Sequence, residues 1–202
     1  MITKKDYLLV SIVGFFFGLL LLPVLNNIKL FSTGITFSKA FLIVFGFTIF
    51  ANLALWIASI MARWLPIVLQ LAKFAAIGAL NTLLDLGILN VLIFATGIAF
   101  GYWYSVFKGI SFVVANVNSY FWNKRWTFGS SGGANVKEFG QFLAVGIVGF
   151  GINIGIASLI VNFVGAPENF SPERWANIGA LSATVISLVW NFVGYKLIVF
   201  KK

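Results

Sequence analysis

The sequence predicts an all-α membrane protein of six transmembrane helices, the last four forming a parallel tandem repeat of two-helix hairpins. Of 202 residues, 60% are apolar and only 9% are Asp, Glu, Lys or Arg, against about 25% charged residues in a soluble domain. Six stretches approach or exceed the roughly 20 apolar residues that a helix needs to cross a hydrocarbon core about 30 Å thick. Polar and aromatic positions recur at matched spacing through the last two-thirds of the chain.

The spans are expected at about 7–25, 40–61, 71–94, 103–122, 139–164 and 175–195. Lys4 and Lys5 precede the first, as in a signal peptide, but its apolar run is longer than the 7–15 residues of such a segment. No small-x-small cleavage site follows, so it reads as a retained helix. Turn formers separate the spans: Asn26-Asn27 after the first, Pro66 after the second, and Gly97 to Gly101 after the third. The run from Gly129 to Asn135 follows the fourth, and Pro167 and Pro172 frame the last loop. Residues 1–66 read as an added two-helix segment and 67–202 as a four-helix domain, with repeats at about 71–128 and 139–200.

Orientation follows from the cations. The net charge is +9, from 14 Lys and Arg against five acids. There is no long basic run of the kind that binds nucleic acid, and the apolar content is too high for that use. The cations instead fall at span ends. Lys4, Lys5, Arg63, Lys73, Lys124, Arg125, Lys137, Lys196, Lys201 and Lys202 share one side, and Lys29, Lys39, Lys108 and Arg174 the other. The positive-inside bias then puts both termini in the cytoplasm, in a multi-pass protein of the cell membrane. Trp64, Trp103, Trp126 and Trp175 lie near span ends, where an interfacial aromatic belt belongs.

The repeat is visible residue by residue. Lys73-Phe74-Ala75-Ala76-Ile77-Gly78 reappears as Gln141-Phe142-Leu143-Ala144-Val145-Gly146, a register that sets Asp85 against Asn153. Tyr120, Lys124 and Phe128 reappear as Phe192, Lys196 and Phe200. Each unit crosses the membrane an even number of times, so the two copies share one orientation.

These residues resemble the GtrA-like family of small membrane proteins. The resemblance rests on Lys108-Gly109-Ile110-Ser111-Phe112 followed by the run Ser119 to Phe128, on the Phe-x-x-x-Gly openings at Phe74 and Phe142, and on Asn191-Phe192 with Lys196 and Phe200. It covers about residues 71–200. The sequence departs from the family pattern in its added first helix pair, and in Leu197-Ile198, which stand where the first copy has Arg125-Trp126. The resemblance implies a role in cell-surface polysaccharide assembly. Members are associated with moving polyprenyl-phosphate-linked monosaccharides, such as undecaprenyl-phosphate-glucose, from the cytoplasmic to the outer leaflet, where a separate glycosyltransferase uses the sugar.

The residues are compatible with such a cargo. A lipid-linked sugar phosphate needs a cation for its phosphate, polar groups for its sugar and an apolar groove for its tail. Lys124, Arg125 and Lys196 are the phosphate candidates, although cations at such positions also serve simply as topology anchors. Asn116, Ser119 and Asn123 fall at i, i+3 and i+7 and form a polar stripe suited to sugar contact, whereas Asn116 and Asn118 cannot both face one groove. Tyr120 and Trp122 are candidates to stack on a sugar ring. Asp85 lies 14 positions beyond residue 71, about 21 Å along a helix, which puts an acid within the hydrocarbon region. An intramembrane acid is costly and marks either a pathway or a buried partner. Asp85 is therefore expected either to couple protons or gate transport, or to form a structural pair with Lys108.

Much chemistry is excluded by composition. With no Cys and no His there are no thiolate nucleophiles, disulfides or imidazole bases and ligands. Asp6, Asp85, Glu138, Glu168 and Glu173 are too dispersed for a carboxylate metal cage, and no Asp-x-Asp is present. No phosphate-loop or dinucleotide glycine pattern is present either. The chain is expected to be no enzyme and to need no cofactor. Its partners are expected to be the sugar lipid, membrane lipids, a membrane glycosyltransferase and a second copy of itself. Two other functions fit: a proton-coupled small-solute transporter using Asp85, and a non-transporting anchor for a glycosyltransferase. Gly14-x-x-x-Gly18 and Gly151-x-x-x-Gly155 allow close helix contact, either within the chain or between copies. Gly149 and Gly151 beside Asn153 serve either a helix bend or packing.

Overall fold

The computed structural model describes residues 2–27, 34–98, 101–133, 135–168 and 172–201. These form helices joined by short connections. They are α1 (Lys4–Asn27), α2 (Phe37–Met61), α3 (Ile67–Thr96), α4 (Gly101–Trp122), α5 (Val136–Ser158) and α6 (Pro172–Gly194). Three π-helical turns, in which each N–H reaches back five residues, extend α4, α5 and α6 at Asn123–Thr127, Leu159–Val164 and Tyr195–Val199. Five segments are long and apolar enough to cross a membrane: Lys4–Pro23, Phe37–Met61, Ile67–Ile93, Val136–Val164 and Ser182–Val199. The 22-residue α4 is about 33 Å long. Its end next to the π turn carries the polar residues Asn116, Asn118 and Ser119. The helices expose Leu, Ile, Val and Phe along their outer faces, the pattern of a surface that meets hydrocarbon rather than water. The protein is a multi-pass membrane protein.

Local signals explain the helix boundaries. Thr3 and Asp6 cap α1 reciprocally: the Thr3 N–H donates to Asp6 Oδ2 (2.9 Å) and the Asp6 N–H donates to Thr3 Oγ1 (3.2 Å). This is a capping box with Asp in the place of Glu. Thr36 accepts from the Lys39 N–H at the start of α2, and Asn135 from the Lys137 N–H at the start of α5. Gly97, with φ at 71°, closes α3 in the left-handed conformation that glycine adopts without strain.

The chain divides into two compact units, Met1–Gly129 and Ser130–Lys202. In the first, α1 packs on both α2 and α3, so the N-terminal pair and the first hairpin share one core. That core gathers Val10, Val13, Leu55, Ile77, Leu80 and Trp126. Gly14 and Gly18 are what bring α1 onto α2. A Cβ built on Gly14 would lie 2.8 Å from the Phe47 carbonyl, and one on Gly18 would lie 2.7 Å from Val44 Cα. The first small-residue pair thus serves packing within the chain. The Asn52 amide adds a hydrogen bond across the same contact by donating to Ser11 Oγ (2.8 Å). In the second unit α5 packs on α6. A Cβ on Gly149 would overlap the Asn191 amide, which gives Gly149 a packing role. Cβ atoms built on Gly151 and Gly155 meet no described atom within 4 Å.

Candidate functional site

In the first hairpin, polar residues form a ladder between α3 and α4. Lys73, Asn81 and Asp85 fall at multiples of four along α3, so they line one face, over about 18 Å from Lys73 to Asp85. At the rung farthest from the chain's N-terminal end, the Ser111 hydroxyl donates to Asp85 Oδ1 at 2.5 Å, with Ser111 fully buried. One turn nearer that end, the Asn118 amide donates to Asn81 Oδ1 at 2.7 Å. Asn81 is buried, and its own Nδ2 has no hydrogen-bond partner among the described residues. Two short polar side chains from each helix thus meet in the middle of an apolar bundle, where a hydrogen bond is strong and an unmet donor is costly.

The end of the ladder is tied by Asp6. Its carboxylate accepts from the Lys73 ammonium, from the Trp126 indole N–H (2.9 Å) and from the Thr3 hydroxyl (2.8 Å). The Asp6 and Lys73 side chains are 8% and 12% exposed. A pair this enclosed is held by its extra hydrogen bonds as much as by Coulomb attraction. The start of α1, the start of α3 and the turn after α4 therefore lie at one end of the first unit.

That turn contains the sequence-predicted cations. Lys124 is only 3% exposed. Its ammonium donates to the Tyr120 hydroxyl (3.3 Å) and lies 5.5 Å from the centroid of the same ring. Arg125 is exposed, with its guanidinium 5.7 Å from the Phe121 ring. The Asn123 amide donates to the Ser119 carbonyl (2.9 Å) and hydroxyl (3.2 Å), while the buried Asn123 Oδ1 and Thr127 Oγ1 have no partner among the described residues. The turn is closed by the Phe128 N–H donating to the Asn123 carbonyl (2.9 Å).

The second hairpin carries corresponding pieces. Asn153 donates to Ser187 Oγ (3.2 Å) and Thr184 Oγ1 (3.5 Å). The Phe200 N–H closes the last π turn on the Tyr195 carbonyl (2.8 Å). Lys196 is half-buried, 5.8 Å from the Phe192 ring centroid. Phe74 meets Phe128 in the first hairpin, and Phe142 meets Phe200 in the second, with centroids 6.5 and 6.2 Å apart.

The predicted site residues are thus placed unevenly. Ser119 and Asn123 come together, but Asn116 donates to the Phe112 carbonyl of its own helix (2.8 Å). Asp85 has Ser111 as a partner. Position 108 is one turn from Ser111 on α4, but the Lys108 side chain lies outside the described residues, as do Lys29, Lys202 and the side chains of Glu173 and Arg174. Sequence reasoning missed Asp6, Lys73 and Trp126 as a cluster, passed over Asn81, and chose Asn116 over Asn118 for the polar stripe. The signals were present: Thr3-x-x-Asp6 is a capping pattern, and Asn81 lies one turn before Asp85. Among the described residues no three acids lie together as a metal site would need.

An uncharacterized membrane protein of Bacillus subtilis (strain 168), YngA, is 31% identical over 130 residues, which are 64% of this chain and 78% of that relative. No solved structure gives a significant match. The model of the GtrA/DPMS transmembrane domain matches residues 73–200, from the lysine that pairs with Asp6 to the phenylalanine that closes the last π turn. With the second hairpin and all but the first six residues of α3 inside that one match, the chain belongs to the GtrA/DPMS transmembrane domain family.

Proposed function

We propose that this protein moves a polyprenyl-phosphate-linked monosaccharide from the cytoplasmic to the outer leaflet of the cell membrane, where a separate glycosyltransferase spends the sugar on surface polysaccharide. The observation that carries the reading is the buried Lys124 ammonium in the π turn after α4, within the family-matched segment. A lysine serving only as a topology anchor extends to the interface, whereas this one is folded onto Tyr120, in a turn that also holds two buried polar atoms without partners among the described residues, Asn123 Oδ1 and Thr127 Oγ1. Such groups suit a phosphorylated sugar.

In this reading both termini are cytoplasmic, the cargo enters at the cytoplasmic side where α4 and α6 end, and the last four helices are a parallel tandem repeat. Residues 1–66 form the added segment and residues 67–202 the family domain. Lys124, Arg125 and Lys196 attract the phosphate, and Asn116, Ser119 and Asn123 offer polar contacts to the sugar. Asp85 and Lys108 mark the deeper part of the path. An apolar cavity of about 330 Å³ among α1, α2 and α3, walled by residues such as Val13, Phe17, Leu55 and Ala76, supports a place for hydrocarbon. The protein is no enzyme and transfers no bond. Its partners are the sugar lipid, membrane lipids, the receiving glycosyltransferase and a second copy of itself.

The test is made in cells lacking the protein. The sugar lipid is expected to accumulate, inaccessible to an impermeant probe such as a lectin at the outer surface, and to become accessible when the protein is restored. Equal accessibility in both strains contradicts the proposal.

A further inference from the structure

The start of α1 brings a further cation to the turn after α4. Lys5 and Leu9 of α1, Phe121 and Trp122 of α4, and Arg125 and Trp126 of the π turn line a cavity of about 270 Å³, near the lower end of small-molecule sites. Its two charged side chains are both cationic, they come from different helices, and the other four are apolar or aromatic. Asp6, the adjacent acid, is committed elsewhere: Oδ2 accepts from Thr3 and Oδ1 from Lys73 and Trp126. The same bond fixes the Trp126 indole, which meets Trp122 edge to face with centroids 5.7 Å apart. Arg125 is steadied over Phe121. Two cations and three aromatic rings lining one cavity are the chemistry that recognises a phosphate ester carried on an apolar chain, since Arg binds phosphate with its fork and Lys as a point charge.

We propose that this cavity holds the phosphate head group of a prenyl-phosphate lipid, with Lys5 of the added N-terminal pair as the second phosphate-contacting cation beside Arg125. The inference rests on the reading of the protein as a translocator of phosphate-linked sugar lipids. It gives the N-terminal pair a share in the site, because Lys5 lies outside the family-matched residues 73–200.

The test is the binding of farnesyl phosphate to the full chain in detergent, read from tryptophan fluorescence. Lys4 is the internal control: it is exposed, neighbours Lys5 in sequence and does not line the cavity. General attraction between a basic rim and an anionic lipid treats the two lysines alike. Direct contact predicts that Lys5→Gln and Arg125→Gln each weaken Kd by about fivefold or more, while Lys4→Gln changes it by less than about twofold. Equal effects of Lys4→Gln and Lys5→Gln, or no binding by the unaltered protein, overturn the proposal. Inorganic phosphate is expected not to compete at the same concentration; competition would make this a free-phosphate site and overturn the lipid assignment. Binding does not require transport. A protein that binds as stated but leaves the sugar lipid in one leaflet refutes the proposed function and leaves the site standing, whereas intact transport without Lys5 dependence refutes the site alone.

Discussion

In the α3–α4 hairpin the Asp85 carboxyl takes the Ser111 hydroxyl, whereas at the matched position of α5–α6 the Asn153 amide gives its hydrogens to Thr184 and Ser187. One turn away the two hairpins differ again. Asn81 fills its place in the first with a buried amide from α3, while the second has Gly149 there and receives Asn191 from the opposite helix. At the π turns they agree closely, with the same five-residue backbone closure, a lysine over an aromatic ring and a phenylalanine pair. Even so, Tyr120 offers Lys124 a hydroxyl that Phe192 does not offer Lys196, and the first turn is tied to the Asp6 carboxylate through Trp126. The two hairpins are therefore alike at their π-turn ends and differ in their polar middle. The first hairpin carries the carboxyl and the tightly held cations, and the second carries neutral amides.

That division can be broken by substitution. Asp6→Ala removes the carboxylate from a nearly enclosed lysine and from the Trp126 N–H, and it is expected to cost about 3–5 kcal/mol. The thermal unfolding midpoint in detergent should fall by roughly 6–20 °C on the scale for a chain of this size. Lys196→Ala in the second hairpin removes a half-buried ammonium from the Phe192 ring and should cost less than about 1 kcal/mol. Comparable losses for the two would refute the asymmetry.

The deep carboxyl comes next in size. Asp85→Asn keeps a side chain that can accept from Ser111 but removes the acid. Sugar-lipid transfer should drop about tenfold or more at unchanged membrane expression, the size of losing one charge-assisted contact. Asn153→Ala should reduce transfer less. Normal transfer by Asp85→Asn would reduce the Asp85–Ser111 bond to a structural role.

Gly149→Ala places a methyl on the Asn191 amide and should destabilise the second hairpin by about 1–3 kcal/mol. Gly151→Ala on the same helix meets open space among the described residues and should be neutral or stabilising by up to about 1 kcal/mol. Similar melting temperatures for the two variants would show that Asn191 moves aside freely. The smallest effect is expected at Trp190, whose indole N–H donates to the Val145 carbonyl (3.1 Å). Trp190→Phe should cost about 0.5–1.5 kcal/mol, measured by the same unfolding transition.

Much of the frame was legible because its causes are local. Apolar length, punctuation by Asn, Gly and Pro, and recurrence of the Phe and Lys positions each act within a helix or one turn. They located the six helices and matched the two hairpin ends. The Asp6 cluster was not legible because its members lie 67 and 120 positions apart, and nothing in the periodicity of α1 says which later helix receives its acid. Asn116 and Asn118 show the finer limit. Spacing correctly implied that only one would face across the hairpin, but the choice depends on the rotation of α4 against α3, and packing set it in favour of Asn118. The family-matched segment was readable, whereas the added pair's contribution to the exit turn appears only once α1 is folded against it.

The most direct measurement of transport is made in liposomes carrying a labelled polyprenyl-phosphate sugar in one leaflet, with the protein purified and reconstituted. The protein is expected to speed the label's appearance in the other leaflet, and Lys124→Gln to slow it toward the rate of bare lipid. Identical leaflet exchange in vesicles with and without the protein would contradict the account.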